Sequence, residues 1–547
     1  MFLYTKQLAE KLNNIKTYLV LTNVLLVFFL ILFNNLGVLP MRTGDFVFFA
    51  ILVLAFALYR PGWAFLIFIG TIALENIDLA PEKLGITVRP YQLIGGLLFL
   101  AIAIRFFSKK LYFKLAKLNW TDYLVFLIPL ASLLNIFNSQ TPKAELKFAL
   151  ILFSFIVIFF LVKNYIQNSY DLKKSLPFFL SSTFVIMLYG FWQNIRFAKG
   201  LNAFSVMPGR PNSTLTEPDW LGFYLVLVIA CVYTLIYFFT QKSDEESKLS
   251  KRVSFLIIDV FLILAFALLL ISVSRSAWLG TAAATIIFLV TIFTNLKFNF
   301  HDWQWKLTIK IKLGIIFLFL VSLGVVYFFH LTSFQLFNRA VSTGGAQKIT
   351  IACLPAGEAG NSDCRDALQC VSTGATIHDV SELAQYGCRH INLEEIEAEK
   401  NKGRVITEIE RDDPNVSVRA EVYQKSWSQI KAHPILGIGW ANIPEVLGKD
   451  PRGANLNSSN IFLETYLGSG LIGFLSLVIL LGVIFVRALI AFFRETDLEQ
   501  KTFALFILTS WTGLVVFNLF NAGIMLGFFW VWLGIVSALK AEKVWKI

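Results

Sequence analysis

The chain has 547 residues, 56% of them hydrophobic and only 15% charged, with a mean hydropathy of +0.66. Soluble domains carry about 25% charged residues, so water is excluded as the main surroundings of this one. The net charge of +12 does not point to nucleic acid. The Lys and Arg sit in short connections between apolar runs, where lipid headgroups and positive-inside topology account for them.

In chain order, apolar runs suited to crossing a bilayer, at about 20 residues each, fall near 18–37, 44–59, 62–75, 90–107, 121–138, 148–165, 177–195, 218–239, 253–273, 277–294, 313–330, 466–486, 502–519 and 524–540. A bilayer offers no partner for free backbone groups, so each run is expected as a helix. The fold class is therefore all-α: a polytopic integral membrane protein of about fourteen transmembrane helices. The first run lacks a small-residue cleavage site and is expected to remain as a span. The second and third runs are short and separated by Arg60-Pro61-Gly62, so one re-entrant hairpin is the alternative there.

Charge sets the expected orientation. With the N-terminus inside, inner segments hold 26 Lys and Arg and the short outer loops 9. A further 13 lie in the long loop 331–457, which is exempt from the rule. Both termini are thus expected in the cytoplasm and the chain in the cytoplasmic (inner) membrane. Residues 1–330 form a membrane domain of eleven spans, 331–457 a large extracytoplasmic loop domain, and 458–547 a membrane domain of three spans.

Within the long loop, a stretch of about 344–403 carries Cys353, Cys364, Cys370 and Cys388, while Cys231 lies inside a span. Four cysteines outside the cell allow two disulfides in three possible pairings. Free thiols and a zinc site are the other readings. No CxxC pair is present and His378 and His390 are not at ligand spacing, so no metal and no other cofactor is expected. The run 391–404 reads as a short helix with solvated charges.

Three arginines stand at or beside the outer membrane edge. Arg210 lies in MPGRPNSTLTEPDWLGF, Arg275 in the tight SRSAWLG turn, and Arg419 in SVRAEVYQKSWSQIKAHPILGIG. An arginine in a tight turn between apolar spans is costly unless it binds something anionic. Its planar fork fits phosphate oxygens in two-point contact, whereas snorkelling to headgroups or helix capping is the plainer role. Around Arg419, Val418, Val422, Trp427 and Ile430 make an apolar helical stripe with Tyr423 beside it, as in a helix on a membrane surface or across a cavity mouth. The segment NSSNIFLETYLGSGLIGF then brings Asn457, Ser458, Ser459 and Asn460 to a span's entrance. Gly468, Gly470 and Gly473 follow, suited to close approach of another helix or a lipid chain.

This ordered set resembles the bacterial O-antigen ligase and O-antigen polymerase family. The resemblance rests on the arginine loop before TEPDWLGF, the SRSAWLG turn, R-x-x-x-Y-x-x-x-W…HPILGIGW, and the asparagine before IFLE, over about residues 200–480. It implies a glycosyltransferase that takes a glycan from a polyprenyl-pyrophosphate carrier, without a metal, and joins it to a lipid, glycan or protein. Membrane lipids surround it and nucleic acid plays no part. The resemblance further implies that Arg210, Arg275 and Arg419 hold the pyrophosphate and stabilise its charge as it leaves. Ser459-Asn460, on the acceptor side, stands where the family usually has His-Asn, and serine is no general base near neutral pH unaided. Glu464, Glu421 and His433 are the neighbours that could take that role, Glu464 first. Two other classes compete. A metal-dependent lipid-linked-sugar transferase would use carboxylates in an early outer loop, where Glu75 and Asp78 stand. A flippase or transporter would need ionisable groups at mid-span, where Asp259 is the clear case.

Overall fold

The computed structural model describes residues 2–137, 139, 141–207, 209–241, 248–295, 303–332, 346–354, 383–384, 387–391, 395–412, 414–448 and 455–537. The first helix, α1 (Phe2–Asn35), is followed by two shorter apolar helices, α2 (Thr43–Tyr59) and α3 (Pro61–Thr71). Next come α4 (Pro90–Phe107), α5 (Trp120–Leu134), α6 (Pro142–Tyr165) and α7 (Ser169–Ala198). They lead to α8 (Pro218–Gln241), α9 (Lys248–Ser272), α10 (Arg275–Thr294) and α11 (Trp305–Phe328). A mixed segment then holds β1 (Ala346–Cys353), β2 (Cys388–Ile391), α12 (Ile396–Asn401), β3 (Val405–Asp412), α13 (Pro414–Ala432) and α14 (Ile443–Leu447). The last helices are α15 (Ile461–Arg494), α16 (Leu498–Asn518) and the short apolar α17 (Gly527–Val536).

Every expected span coincides with one of these helices, and the chain is a multi-pass, predominantly helical membrane protein. Among the described residues, eleven helices are long and apolar enough to cross; α2, α3 and α17 are shorter. At about 1.5 Å per residue, α3 reaches roughly 16 Å, half of a hydrocarbon core of about 30 Å. The irregular stretch after it is packed into protein: Ala73, Leu74, Glu75, Ile77 and Leu79 are buried. Glu75 fixes it by pairing with Arg89 at 2.9 Å and accepting hydrogen bonds from Tyr91 and the Gly527 amide.

α8 is the central helix, with every residue from Leu221 to Thr234 buried. It packs on α9, α10 and α16, and Gly280 of α10 lets that helix approach the Gly513 carbonyl of α16. Peripheral helices instead expose large apolar side chains, such as Leu313, Phe317 and Leu320 of α11, as lipid contact requires.

The mixed segment corrects one expectation locally. It contains a three-stranded antiparallel sheet in the order β2-β1-β3. Ile349, Ile351 and Cys353 alternate along β1 into one apolar cluster, and Thr350 and Ala352 between them are buried as well, so this central strand is covered on both faces. Cys353 opposes Cys388 in register, and the two are joined in a disulfide. Cys364, Cys370 and His378 lie outside the described residues. The charged run 391–404 also differs from a solvated helix. Its first residue ends β2, and Glu399 on α12 is only 1% exposed, gathering Arg389 (2.9 Å), Lys402 (2.7 Å) and Arg404 (3.3 Å). Arg389 and Lys402 hold the Glu399 carboxyl down at about 2, Arg389 contributing most.

Candidate active site

The turn between α9 and α10 is held from several sides. Val273 stands in the left-handed region at φ 52°, a strained conformation for a β-branched residue. Trp278 donates from its indole to the Leu269 carbonyl at 3.0 Å and from its backbone to the Ser274 carbonyl. Arg210 reaches in from the loop before α8. Its Nε donates to the Ser272 carbonyl at 2.9 Å and its Nη2 to Val273 at 3.4 Å, while Asp219 at 3.4 Å balances its charge. The buried Asn212 side chain shapes that loop by donating to the Leu215 carbonyl at 2.6 Å. Arg210 and Arg275 are therefore brought to one turn.

What they have left to offer differs. Arg210 spends Nε and Nη2 on the protein and is 15% exposed at its side chain. Arg275 is the first residue of α10, half-buried, and its buried Nη1 has no hydrogen-bond partner among the described residues. A buried polar atom without a partner is uncommon in native proteins. At a helix start it adds to the unpaired amides that already favour an anion.

A second set of contacts ties this turn to the entrance of α15. Ser276, on the first turn of α10, accepts from the Asn521 amide at 2.6 Å. Two residues earlier, the Leu519 carbonyl accepts from the Asn460 amide at 3.1 Å and from the Tyr423 hydroxyl at 3.5 Å. Asn460 caps α15, its Oδ1 accepting from the amides of Phe462 and Leu463. Ser459 lies in the left-handed region at φ 50°, and Tyr423 also reaches its carbonyl. Glu464 braces the entrance from below: Oε2 accepts from the Ser458 amide at 2.7 Å and hydroxyl at 2.6 Å.

Arg419 precedes Tyr423 by four residues and so shares its face of α13. It is exposed and has no hydrogen bond or ion pair among the described residues. The stripe expected on α13 is split. Val422, Ser426 and Ile430 are buried at a helical spacing, whereas Val418 and Trp427 are exposed, 41% and 54%. Glu421 pairs with Lys425 on the outer surface at 2.8 Å. His433 is exposed and lines a separate polar cavity of about 510 Å³ with Asn135, Gln429, Asn442 and Glu445. Of the three candidates for an acceptor base, Glu464 alone is bonded to the Ser458–Asn460 entrance.

The glycines after Asn460 receive a loop rather than a lipid chain. Trp440 lies against Gly468, where a methyl group would meet its ring. Gly470 adopts φ 62° and breaks the helical path of α15, so that the Leu471 amide meets the Ile435 carbonyl at 2.9 Å. Glu145, at the start of α6, secures the same loop by accepting from the Trp440 and Ala441 amides. The carboxylates of the early loop are not paired for a metal. Glu75 is spent as described, and Asp78 Oδ1 accepts from the Ala80 and Val88 amides. Asp122 and Lys163 form a buried ion pair between α5 and α6, but in the first turn of one and the last turn of the other rather than at mid-span.

Sequence reasoning missed Asp219, Ser276 and Asn521. Asn521 carries the one signal that could have been used, an amide in the short apolar connection between the last two spans. No curated protein matches the chain. A family model described as O-antigen ligase matches residues 260–478, which include Arg275, Arg419 and the Ser458–Glu464 entrance but not Arg210. Over residues 260–478, the chain is thus similar to the O-antigen ligase family.

Proposed function

We propose that the protein is a ligase- or polymerase-type glycosyltransferase that moves a glycan from a polyprenyl-pyrophosphate carrier to a hydroxyl of a lipid, glycan or protein acceptor, on the outer face of the cytoplasmic membrane. The observation that carries this reading is the unpartnered, buried Nη1 of Arg275 at the start of α10. In the reaction, the acceptor oxygen forms a bond to the anomeric carbon as the bond from that carbon to the pyrophosphate oxygen breaks, and the acceptor's hydroxyl proton is released to water or to the departing pyrophosphate. The electron pair leaves with the pyrophosphate, where negative charge grows.

Arg275 meets that growing charge. A donor already fixed in place, in surroundings poorer in water than bulk, stabilises developing charge without reorganisation during the step. Arg210 acts through Arg275, by holding the carbonyls of Ser272 and Val273 and hence the turn. Arg419 adds a cation from α13, on the face that Tyr423 turns to Ser459 and Leu519. Asn460 and Ser459 mark the acceptor side, with Glu464 holding their backbone in place. The charge bias of the loops supports an outer location for all of these groups.

Binding of polyprenyl pyrophosphate to the purified full chain tests the reading. The parent protein should bind it, Arg275→Lys should bind more weakly although charge is kept, and Arg275→Ala more weakly still. Equal binding by all three would remove the pyrophosphate role.

A further inference from the structure

At the end of the bundle away from the arginine turn, a cavity of about 660 Å³ lies between α3, α7, α8, α16 and α17. It takes α8 from Leu227 to Phe239, whereas the Pro218 end of that helix leads to Arg210. It takes α16 from Glu499 to Phe506, whereas the Asn518 end leads to Leu519 and Asn521. The wall is apolar, with Leu176, Leu227, Phe503, Val531 and the buried Cys231. The rim is polar. The Lys173 ammonium pairs with the Glu499 carboxylate, their side chains 44% and 40% exposed, and the Ser169 hydroxyl donates to Glu499 at 3.3 Å.

Protein interiors rarely contain voids larger than a water molecule, and this one is in the size range of whole ligand sites. Its depth fits one class of occupant. From Ser169 to Leu180 the lining of α7 extends about 16 Å, against about 30 Å for the hydrocarbon core, so the cavity is one leaflet deep. The rim adds a second criterion, because it sets a cation and an anion side by side. An anionic headgroup would find Lys173 but face the Glu499 carboxylate uncompensated. A quaternary ammonium headgroup has no N–H to donate. A headgroup that carries both a phosphate and a primary ammonium satisfies both partners.

We propose that this cavity binds one aminophospholipid of the phosphatidylethanolamine class, an acyl chain against the apolar wall, the phosphate on Lys173 and Ser169, and the ammonium on Glu499. The site is independent of glycan transfer and of the arginine turn.

The full chain would be reconstituted in vesicles of phosphatidylethanolamine and phosphatidylglycerol, or of phosphatidylcholine and phosphatidylglycerol, and retained lipid read by native mass spectrometry. One phosphatidylethanolamine should stay bound per chain from the first mixture, with no comparable retention of the other two lipids. Cys231→Trp, which fills the cavity, should abolish retention. Lys173→Gln and Glu499→Gln act at the exposed rim, where folding is not at stake. Each should weaken retention of phosphatidylethanolamine about tenfold, the loss of one charge-assisted hydrogen bond. A parent protein that retains no lipid, or retains all three equally, overturns the proposal. So does unchanged retention in the two rim variants, or preferential retention of phosphatidylglycerol.

Discussion

Arg210 and Arg275 reach the same turn with different amounts of hydrogen-bonding capacity left, and that difference separates positioning from binding. Ser459 and Glu464 can be separated in the same manner. The Ser459 hydroxyl makes no hydrogen bond among the described residues, so Ser459→Ala should leave glycan transfer near the parental rate. Ser459→His should raise it. Histidine is tolerated at positive φ better than most side chains, so the backbone at φ 50° can accept it, and it would supply a general base. A severe loss in Ser459→Ala would assign this serine a role that the geometry does not give it. Glu464→Ala removes the acceptor for both the amide and the hydroxyl of Ser458, and should lower stability by about 1–3 kcal/mol, read by thermal unfolding in detergent. Glu464→Gln keeps an acceptor oxygen and should retain most of that stability. If Glu464→Gln kept full stability but lost transfer entirely, Glu464 would be the base rather than a brace.

Among the elements, the sheet makes the clearest quantitative claim. Glu399 has a folded-state pKa of about 2 against an ordinary value near 4.5, because Arg389 and then Lys402 hydrogen-bond to its carboxylate. A depressed carboxyl contributes stability that is complete above its unfolded pKa and is lost as pH falls through the folded one. Protease resistance of residues 346–412 should therefore decline between about pH 4.5 and pH 2. In Glu399→Gln this contribution to the pH dependence should vanish, and an identical decline in both proteins would rule it out. The sheet was not legible in the sequence. β2 has only four residues, β1 and β2 are separated by a long polar stretch, and the even cysteine count suggested linkage without pairing. The helices were legible because an apolar run of crossing length has few other solutions. The lengths of α3 and α17 were not, since burial against protein replaces the lipid criterion there. The stripe on α13 misled for a related reason. Val418 and Trp427 fit a helical period, yet the buried row is Val422, Ser426 and Ile430.

For the whole molecule, the hydrogen bonds join loops in two separate groups. The turn at Ser272–Arg275, the Arg210 loop, the α15 entrance and the Leu519–Asn521 connection form one, while Lys173–Glu499 and the Lys501–Asn295 contact belong to the other. The span order puts the members of each group on the same side of the membrane. Reporter fusions after residues 245 and 380 should give a cytoplasmic signal at the first position and an outside signal at the second. The reverse pattern would turn the proposed site inward. The sequence located the arginines and the Ser459-Asn460 pair by order and spacing. It could not show that Arg210 is committed to backbone carbonyls, or that Asn521 links α10 to the last connection, because both depend on groups far apart in the chain.

Glycan transfer from a polyprenyl-pyrophosphate-linked donor, measured in membranes with protein level matched, tests the central claim most directly. Losing one fixed donor to developing charge typically costs on the order of 10²–10³ in rate, or roughly 3–4 kcal/mol. Arg275→Ala should show a loss of that size, and Arg275→Lys should remain severely impaired because a point charge does not restore two-point contact. Near-parental transfer by both variants would contradict the account and leave Arg275 as an anchor for lipid headgroups.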